Sequence, residues 1–138
     1  MHKLKKIINS FESQLDKKSK QQNKNRLSEG CFVYELEADS TIPSEYILLM
    51  HFLGEINLDL EKKIKNYLLS KQNKDGGWPL YYDGESNVSA SVKAYYALKL
   101  SGVSPNNKLM KLAKEFIIKN GGAEQSNVFT RITLAQFG

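Results

Sequence analysis

Two diglycine turns, Gly76-Gly77 and Gly121-Gly122, interrupt the chain 45 residues apart. Each follows a segment whose apolar residues recur at helical spacing, and each precedes a short turn and another helical segment. A period of this length is typical of repeats made of helix pairs. We therefore predict an all-α fold in which helix pairs stack in two layers. The 138 residues supply only about two and a half such pairs, so the expected product is an incomplete α/α-barrel (toroid).

Capping residues and breaks place five helices in this array. Proline suits a first helical turn, asparagine caps an N-terminus, and glycine supplies the positive φ that ends a helix. The predicted helices run from Pro43 to about Gly54, from Asp59 to Gln72, from Ser89 to Ser101, from Asn106 or Asn107 to Gly121, and from Asn127 onward. Strand patterns are limited to Cys31–Leu36 and Pro79–Tyr82, and both are short.

The positive charge of the chain is confined to its beginning. The net charge is +5, yet residues 1–26 alone carry eight basic and two acidic residues. Residues 2–18 also place apolar residues at helical spacing. We predict that residues 1–28 are a basic amphipathic helix with a polar linker and that residues 29–138 are the repeat domain. Because no basic patch with interleaved aromatics follows, no nucleic-acid partner is expected.

The remaining composition excludes several classes of protein. The single cysteine, Cys31, cannot form an internal disulfide. The chain has only two histidines, and their spacing from each other and from Cys31 is not that of metal ligands. The longest apolar stretch is too short to span a bilayer, and the N-terminus lacks the apolar region of a secretory signal. We expect a cytoplasmic protein, or one at the cytoplasmic face of the membrane, without a metal.

One motif is specific. The pattern Tyr67-Leu68-x-x-x-Gln72-x-x-x-Gly76-x-Trp78 resembles the Gln–Trp repeat of triterpene cyclases, and its surroundings resemble bacterial squalene–hopene cyclases. The resemblance covers about residues 29–138 in one register and includes Glu35–Leu49, Gly76–Leu80, Ser89–Lys99, Gly121–Ala123 and Ser126–Arg131. An earlier Gln–Trp unit is degenerate, with Arg26, Gly30 and Phe32 in the Gln, Gly and Trp places. In this family the Gln–Trp motif is a structural clamp, which agrees with the capacity of Gln72 to bond backbone groups at helix ends and of Trp78 to anchor a surface turn.

The resemblance implies an isomerase that cyclises squalene, or a similar polyprenyl chain, to hopanoids with no metal or organic cofactor. The reaction protonates an alkene, so it needs a strong acid shielded from water. The family holds that acid in an Asp-x-Asp-Asp motif, which is absent here. The acidic residues Glu35, Glu37 and Asp39 have a different spacing and precede a helix, where they serve the N-terminus. No catalytic residue is therefore assigned.

The resemblance also implies a substrate cavity lined by the helices that begin near Glu45, Ser91 and Phe129. Glu45 lies in an apolar helix, so a buried carboxylate would need a partner, with Lys93 and Arg131 as candidates. Together with Asn127 and Phe129 these residues form either a polar network that orders water where the final cation is quenched or a structural ion pair between helices. Some family members have Glu at the position of Lys93 and Arg at that of Asn127, so the network here would differ.

Three interpretations of the function remain open. The chain is the N-terminal portion of a cyclase that needs the missing C-terminal portion, one half of a split enzyme, or a non-catalytic remnant. Residues 2–18 either contact an anionic membrane, as peripheral family members do, or pack on the missing domain. In an open barrel the faces around Tyr46–Leu53 and Ala90–Leu98 should be exposed to solvent, which predicts weak stability or self-association.

Overall fold

The structure of the protein is a computed structural model that describes residues 12–17, 19–20, 30–31 and 37–138. The chain divides into two compact units, residues 1–37 and 38–138. In the first unit, residues 12–17 and 19–20 are helical, and Leu15 is exposed. The rest of the predicted N-terminal helix lies outside the described residues, as does nearly all of the strand expected at Cys31–Leu36.

The second unit contains five α-helices and one short hairpin. The elements are α1 (Thr41–Leu53), α2 (Leu58–Ser70), β1 (Trp78–Pro79), β2 (Ser86–Asn87), α3 (Val88–Leu100), α4 (Lys108–Lys119), a 3₁₀ turn (Ala123–Gln125) and α5 (Val128–Ala135). The two strands pair antiparallel, with Trp78 opposite Asn87. The prediction of an all-α fold made of helix pairs is confirmed, and the strand expected at Pro79–Tyr82 is reduced to Trp78–Pro79.

The helix ends follow from capping chemistry. Asn57, Asn87, Asn107 and Asn127 each accept a backbone N–H with the side-chain oxygen, at the starts of α2, α3, α4 and α5 respectively. Gly54 ends α1 with φ 73°, in the left-handed region that favours glycine. At the start of α1 the carboxylate of Asp39 accepts from the backbone N–H of Thr41 at 2.7 Å, as expected for an acidic residue at a helix N-terminus.

Helix α3 is the centre of the unit. It contacts α1, α2, α4, α5, the hairpin and the 3₁₀ turn. Its small residues let these neighbours approach from several sides, and only Lys99 among its residues is exposed. The core that results comprises Ile47, Leu48, Leu68, Trp78, Ala90, Ala94, Ala97, Leu98, Met110 and Ala113. The expectation that Ala90–Leu98 would meet solvent is therefore wrong, because α1, α4 and α5 already cover this segment.

Helix α1 differs because it is apolar on two faces. Ser44, Ile47 and Leu48 are buried against the core, whereas the opposite stripe of large apolar residues is open. That stripe comprises Ile42, Leu49, Phe52 and Leu53, which are 66%, 51%, 53% and 52% exposed. A helix that is apolar all round is normally enclosed on all sides. The expectation of solvent exposure therefore holds for this stripe of α1.

Candidate functional site

The Gln–Trp motif builds the corner between α2 and α3. Trp78 is completely buried, its indole Nε1–H donates to the carbonyl of Leu68 at 2.8 Å, and its backbone N–H donates to Ser91 Oγ at 2.9 Å. These two bonds fix the hairpin to the last turn of α2 and the first turn of α3. The tryptophan is thus part of the core, where the sequence suggested a surface-turn anchor.

Two glycines allow a close approach at this corner. Gly76 has φ +92°, and a Cβ atom there would lie 2.4 Å from the carbonyl oxygen of Leu112 in α4. A Cβ at Gly77 would lie 2.5 Å from the Cβ of Ser86. Only glycine fits two such contacts and the positive φ of Gly76. The turn therefore packs directly on the backbone of α4.

Gln72 links the corner to the next helix pair. Its Nε2 donates to the carbonyl of Gly76 at 2.8 Å and to the carbonyl of Leu109, in the first turn of α4, at 3.0 Å. Two carbonyl acceptors on one side fix the orientation of the amide, since the opposite orientation would place Oε1 against both oxygens. Its Oε1 is buried without a hydrogen-bond partner. Gln72 thus reaches a neighbouring helix end through its amide N–H groups.

The first two residues of the motif also have structural contacts. Leu68 is fully buried and supplies the carbonyl that accepts from Trp78. The hydroxyl of Tyr67 donates to the carbonyl of Ala38, and the ammonium of Lys71 lies 5.4 Å from the centre of the Tyr67 ring. Tyr67 therefore ties α2 to the segment that precedes α1.

Glu45 and Lys93 form an ion pair between α1 and α3. The Nζ of Lys93 donates to Oε1 of Glu45. The side chain of Lys93 is 6% exposed and that of Glu45 is 47% exposed. The expectation that the carboxylate of Glu45 is buried is wrong, because Lys93 is the buried residue of this ion pair. Glu45 lies on α1 between Ile42 and Leu49, so its carboxylate opens onto the exposed apolar stripe.

The other candidate residues lie on or next to α5. Asn127 caps this helix, with Oδ1 accepting from the N–H of Thr130 at 2.9 Å, and its own N–H donates to Ser89 Oγ at 2.9 Å. Phe129 is 71% exposed and Arg131 is exposed. Within residues 37–138, the side chain of Arg131 makes no ion pair, so Lys93 is the partner of Glu45 that the structure shows.

A second polar contact between helices was not predicted from the sequence. His51 Nε2 lies 2.7 Å from Glu61 Oε2, and both side chains are largely buried, at 16% and 13% exposure. The contact joins α1 to α2. No spacing rule relates residues on two different helices, so the sequence offered no signal for it.

The described residues contain no cluster of His, Cys, Asp or Glu that could hold a metal ion. Among the helices that are described, none has the length and apolar character needed to cross a bilayer. What the site offers is an apolar helix face, one half-exposed carboxylate and the ammonium that holds it. Such an arrangement can bind an apolar ligand and place one anionic group beside it.

Comparison with known proteins identifies the family. Residues 15–138 match the family described as "Squalene-hopene cyclase N-terminal domain". The chain belongs to the squalene–hopene cyclase family. The resemblance seen in the Gln–Trp motif and its flanking segments is thereby confirmed.

Individual relatives agree with the family match. The chain is 56% identical over 112 residues to the squalene–hopene cyclase of Bradyrhizobium diazoefficiens and 54% identical over 111 residues to that of Zymomonas mobilis. It is 52% identical over 116 residues to the squalene-hopene cyclase of Schizosaccharomyces japonicus. These alignments cover 80 to 83% of this chain but only 17 to 18% of each relative. The chain therefore spans less than a fifth of the length of these curated relatives.

Proposed function

We propose that the chain acts as the N-terminal portion of a squalene–hopene cyclase and contributes one wall of the cavity that holds squalene or a similar polyprenyl chain. The observation that carries the proposal is the exposed apolar stripe of α1, with the Glu45 carboxylate opening onto it. The free energy falls when an apolar hydrocarbon covers such a surface, because apolar area on both is removed from water. The stripe is too apolar to remain in water in a complete enzyme.

In this proposal Glu45 and Lys93 are part of a polar network at the cavity wall. The ammonium of Lys93 lies beneath the apolar surface and holds the carboxylate in one position. A fixed carboxylate can order water beside the last carbocation, and that water removes a proton to form the product alkene. Asn127, Phe129 and Arg131 belong to the same proposed wall, with Asn127 positioning α5 through its cap. The alternative role of Glu45 and Lys93 is purely structural, as an ion pair between α1 and α3.

The chain alone should not start the cascade. The sequence has no Asp-x-Asp-Asp motif, which is the acid that the family resemblance implies. We propose that a C-terminal cyclase portion supplies the acid and the rest of the cavity. The alternatives are that this portion is a separate polypeptide of a split enzyme or that the chain is a non-catalytic remnant.

A squalene cyclisation assay tests the proposal. The purified chain is incubated with squalene alone and with the downstream portion of the Bradyrhizobium diazoefficiens relative, and products are identified by gas chromatography and mass spectrometry. Hopene only in the mixture supports the proposal. The Glu45→Gln variant should then change the ratio of alkene to hydrated product if the network acts in quenching, and leave it unchanged if the pair is structural. Cyclised product from the chain alone would contradict the claim that this chain lacks the acid that starts the cascade.

We also propose that the protein works at the cytoplasmic membrane surface, where its apolar substrate dissolves. The basic surplus of residues 1–26 supports this, because lysines near a surface attract anionic lipids. Co-sedimentation with phosphatidylglycerol vesicles, lost at high salt and absent with phosphatidylcholine vesicles, is the expected result. Equal behaviour with both lipids would contradict electrostatic membrane contact by this segment.

A further inference from the structure

A groove of about 310 Å³ lies beside the second diglycine turn and is open to solvent at Ile118, which is 63% exposed. Ala123, in the 3₁₀ turn that follows the glycines, lines this groove, so we call it the Ala123 groove. Its other walls include Tyr95 and Tyr96 of α3, Ile117 and Ile118 of α4, and Leu134 of α5. A depression of this size with aliphatic and aromatic walls is typical of sites for small ligands.

The internal repeat indicates which chemical group such a space accommodates. A shift of 45 residues carries Gly76-Gly77 onto Gly121-Gly122 and Trp78 onto Ala123. The same shift places the walls of the Ala123 groove on α1, on the end of α2 with the turn that follows it, and on the first turn of α3. The walls therefore correspond to the elements around the first diglycine turn.

At that first turn the space is filled by Trp78. Its side chain is fully buried in one core cluster with Ile47 of α1 and Leu68 of α2, and its backbone N–H donates to Ser91 of α3. These are the elements to which the walls of the Ala123 groove correspond. The groove is therefore the equivalent of the space that the Trp78 side chain occupies, and the methyl group of Ala123 is too small to fill it.

One charged residue distinguishes the Ala123 groove from the Trp78 corner. Lys114 lines the groove, and the shift of 45 residues places it on Leu69, an apolar residue. None of the ion pairs within residues 37–138 includes Lys114. A molecule in the groove thus meets an ammonium group that is available for pairing, which the indole of Trp78 does not.

We propose that the Ala123 groove binds a small planar aromatic ring that carries a carboxylate, in the place that an aromatic side chain takes at the first turn. The ring removes the apolar walls from water, and Tyr95 and Tyr96 can contact it in the edge-to-face or offset geometry that aromatic pairs prefer. The ring of Tyr96 is already held edge-to-face by Phe137, with the ring centroids 5.3 Å apart. The carboxylate lies at the rim, where the Lys114 ammonium attracts it.

Such a ligand differs from squalene because it is charged and aromatic. The groove is therefore a site separate from the cavity wall proposed for α1. Binding here needs neither squalene nor a further portion of a cyclase, so the outcome of the cyclisation assay does not affect it.

The first experiment tests whether the groove accepts an indole. Ala123→Trp places one in the groove, and Glu124→Trp is the matched control, because Glu124 is exposed in the same turn but does not line the groove. Trp78 is buried and contributes equally to both variants. We expect acrylamide to quench the added tryptophan of Glu124→Trp at least about threefold more strongly than that of Ala123→Trp. Equal quenching would overturn the equivalence of the groove with the Trp78 corner.

The second experiment measures binding of indole-3-acetate to the original chain by isothermal titration calorimetry, with 3-methylindole as the neutral ligand of matched shape. We expect Lys114→Glu to weaken indole-3-acetate binding at least about fivefold, and Ala123→Trp to abolish it by filling the groove. Lys111→Glu makes the same charge change on an exposed position of α4 outside the groove, and should leave the affinity unchanged.

Three results would refute the site. These are no binding of indole-3-acetate, equal affinity for the two ligands, and equal affinity in Lys114→Glu and Lys111→Glu, since binding to the apolar stripe of α1 would be insensitive to Lys114. Both lysines are exposed, so these two variants keep the test decisive if Ala123→Trp does not fold.

Discussion

The ion pair of Glu45 and Lys93 is unequally buried, and this makes the effect of removing each partner different. Lys93 is 6% exposed and Glu45 is 47% exposed. Glu45→Ala leaves a buried ammonium without its acceptor. Lys93→Met instead removes the buried charge, fills a similar volume with an apolar chain and leaves a carboxylate that water can solvate.

The magnitudes follow from this burial. Breaking a buried ion pair by removing one partner costs about 3–5 kcal/mol. Because roughly half of the Glu45 side chain is in solvent, we halve that range and expect Glu45→Ala to lower the free energy of unfolding by about 2 kcal/mol. Lys93→Met should change it by less than about 1 kcal/mol.

Urea unfolding measures both variants. Trp78 is the only tryptophan in the sequence and is fully buried, so its fluorescence reports the core directly. With a slope of about 1.5 kcal/mol per molar urea, the Glu45→Ala midpoint should fall by about 1.3 M. The control is Glu115→Ala, an exposed acidic residue of α4, with an expected change within about 0.5 kcal/mol. Equal losses in the two variants, or a larger loss for Lys93→Met, would refute the argument from unequal burial.

Three further predictions concern the corner and the open face. Trp78→Phe removes the donor to the Leu68 carbonyl and should lower the free energy of unfolding by about 1–3 kcal/mol, measured by circular dichroism at 222 nm; no loss would mean that water replaces the indole. Gly76→Ala should be far more destabilising than Gly102→Ala in thermal melts, because both have positive φ but only the Gly76 Cβ meets backbone, at 2.4 Å from Leu112. Light scattering after size exclusion should show a mass above that of one chain, because the α1 stripe is exposed; a monomer that unfolds cooperatively would contradict this.

Capping chemistry made most of the helix boundaries predictable. Asn107, one of the two caps predicted for this helix, starts α4, and Asn127 starts α5 and Gly54 ends α1 as predicted. These signals act within one helical turn, so neighbours in space do not alter them. The family resemblance was carried by the same local segments and is confirmed by the match over residues 15–138.

Burial was predictable only where the sequence pattern was one-sided. Helix α3 consists largely of small or apolar residues around its whole circumference, so no face marks it as outward, and the structure buries nearly all of it. The same absence of a polar face in α1 leads to the opposite outcome, an open stripe. The sequence proposed Lys93 and Arg131 as partners of Glu45 but contained nothing to indicate which member would be buried, because that depends on how α1 and α3 pack.

The short strand Ser86–Asn87 was missed for a related reason. It has no alternating pattern, and its position is fixed by side-chain contacts with the turn. Ser86 Oγ donates to Asp75 at 2.7 Å and accepts from Asn73 at 3.0 Å. Such contacts between residues 11 to 13 positions apart leave no periodic signal in the sequence.

The sequence separation of the Gln72 contact has a consequence for how the chain folds on the ribosome. Gln72 donates to a residue 37 positions further along the chain, and Lys65 donates to a residue 36 positions further along. Glu45 pairs with a residue 48 positions further along. Each of these three contacts can therefore form once roughly one more repeat has been synthesised, and none of them requires a segment much further along the chain. Because these loops are local in sequence, we expect the nascent chain to consolidate stepwise, with the corner around Trp78 completed as soon as the first turn of α4 has been translated.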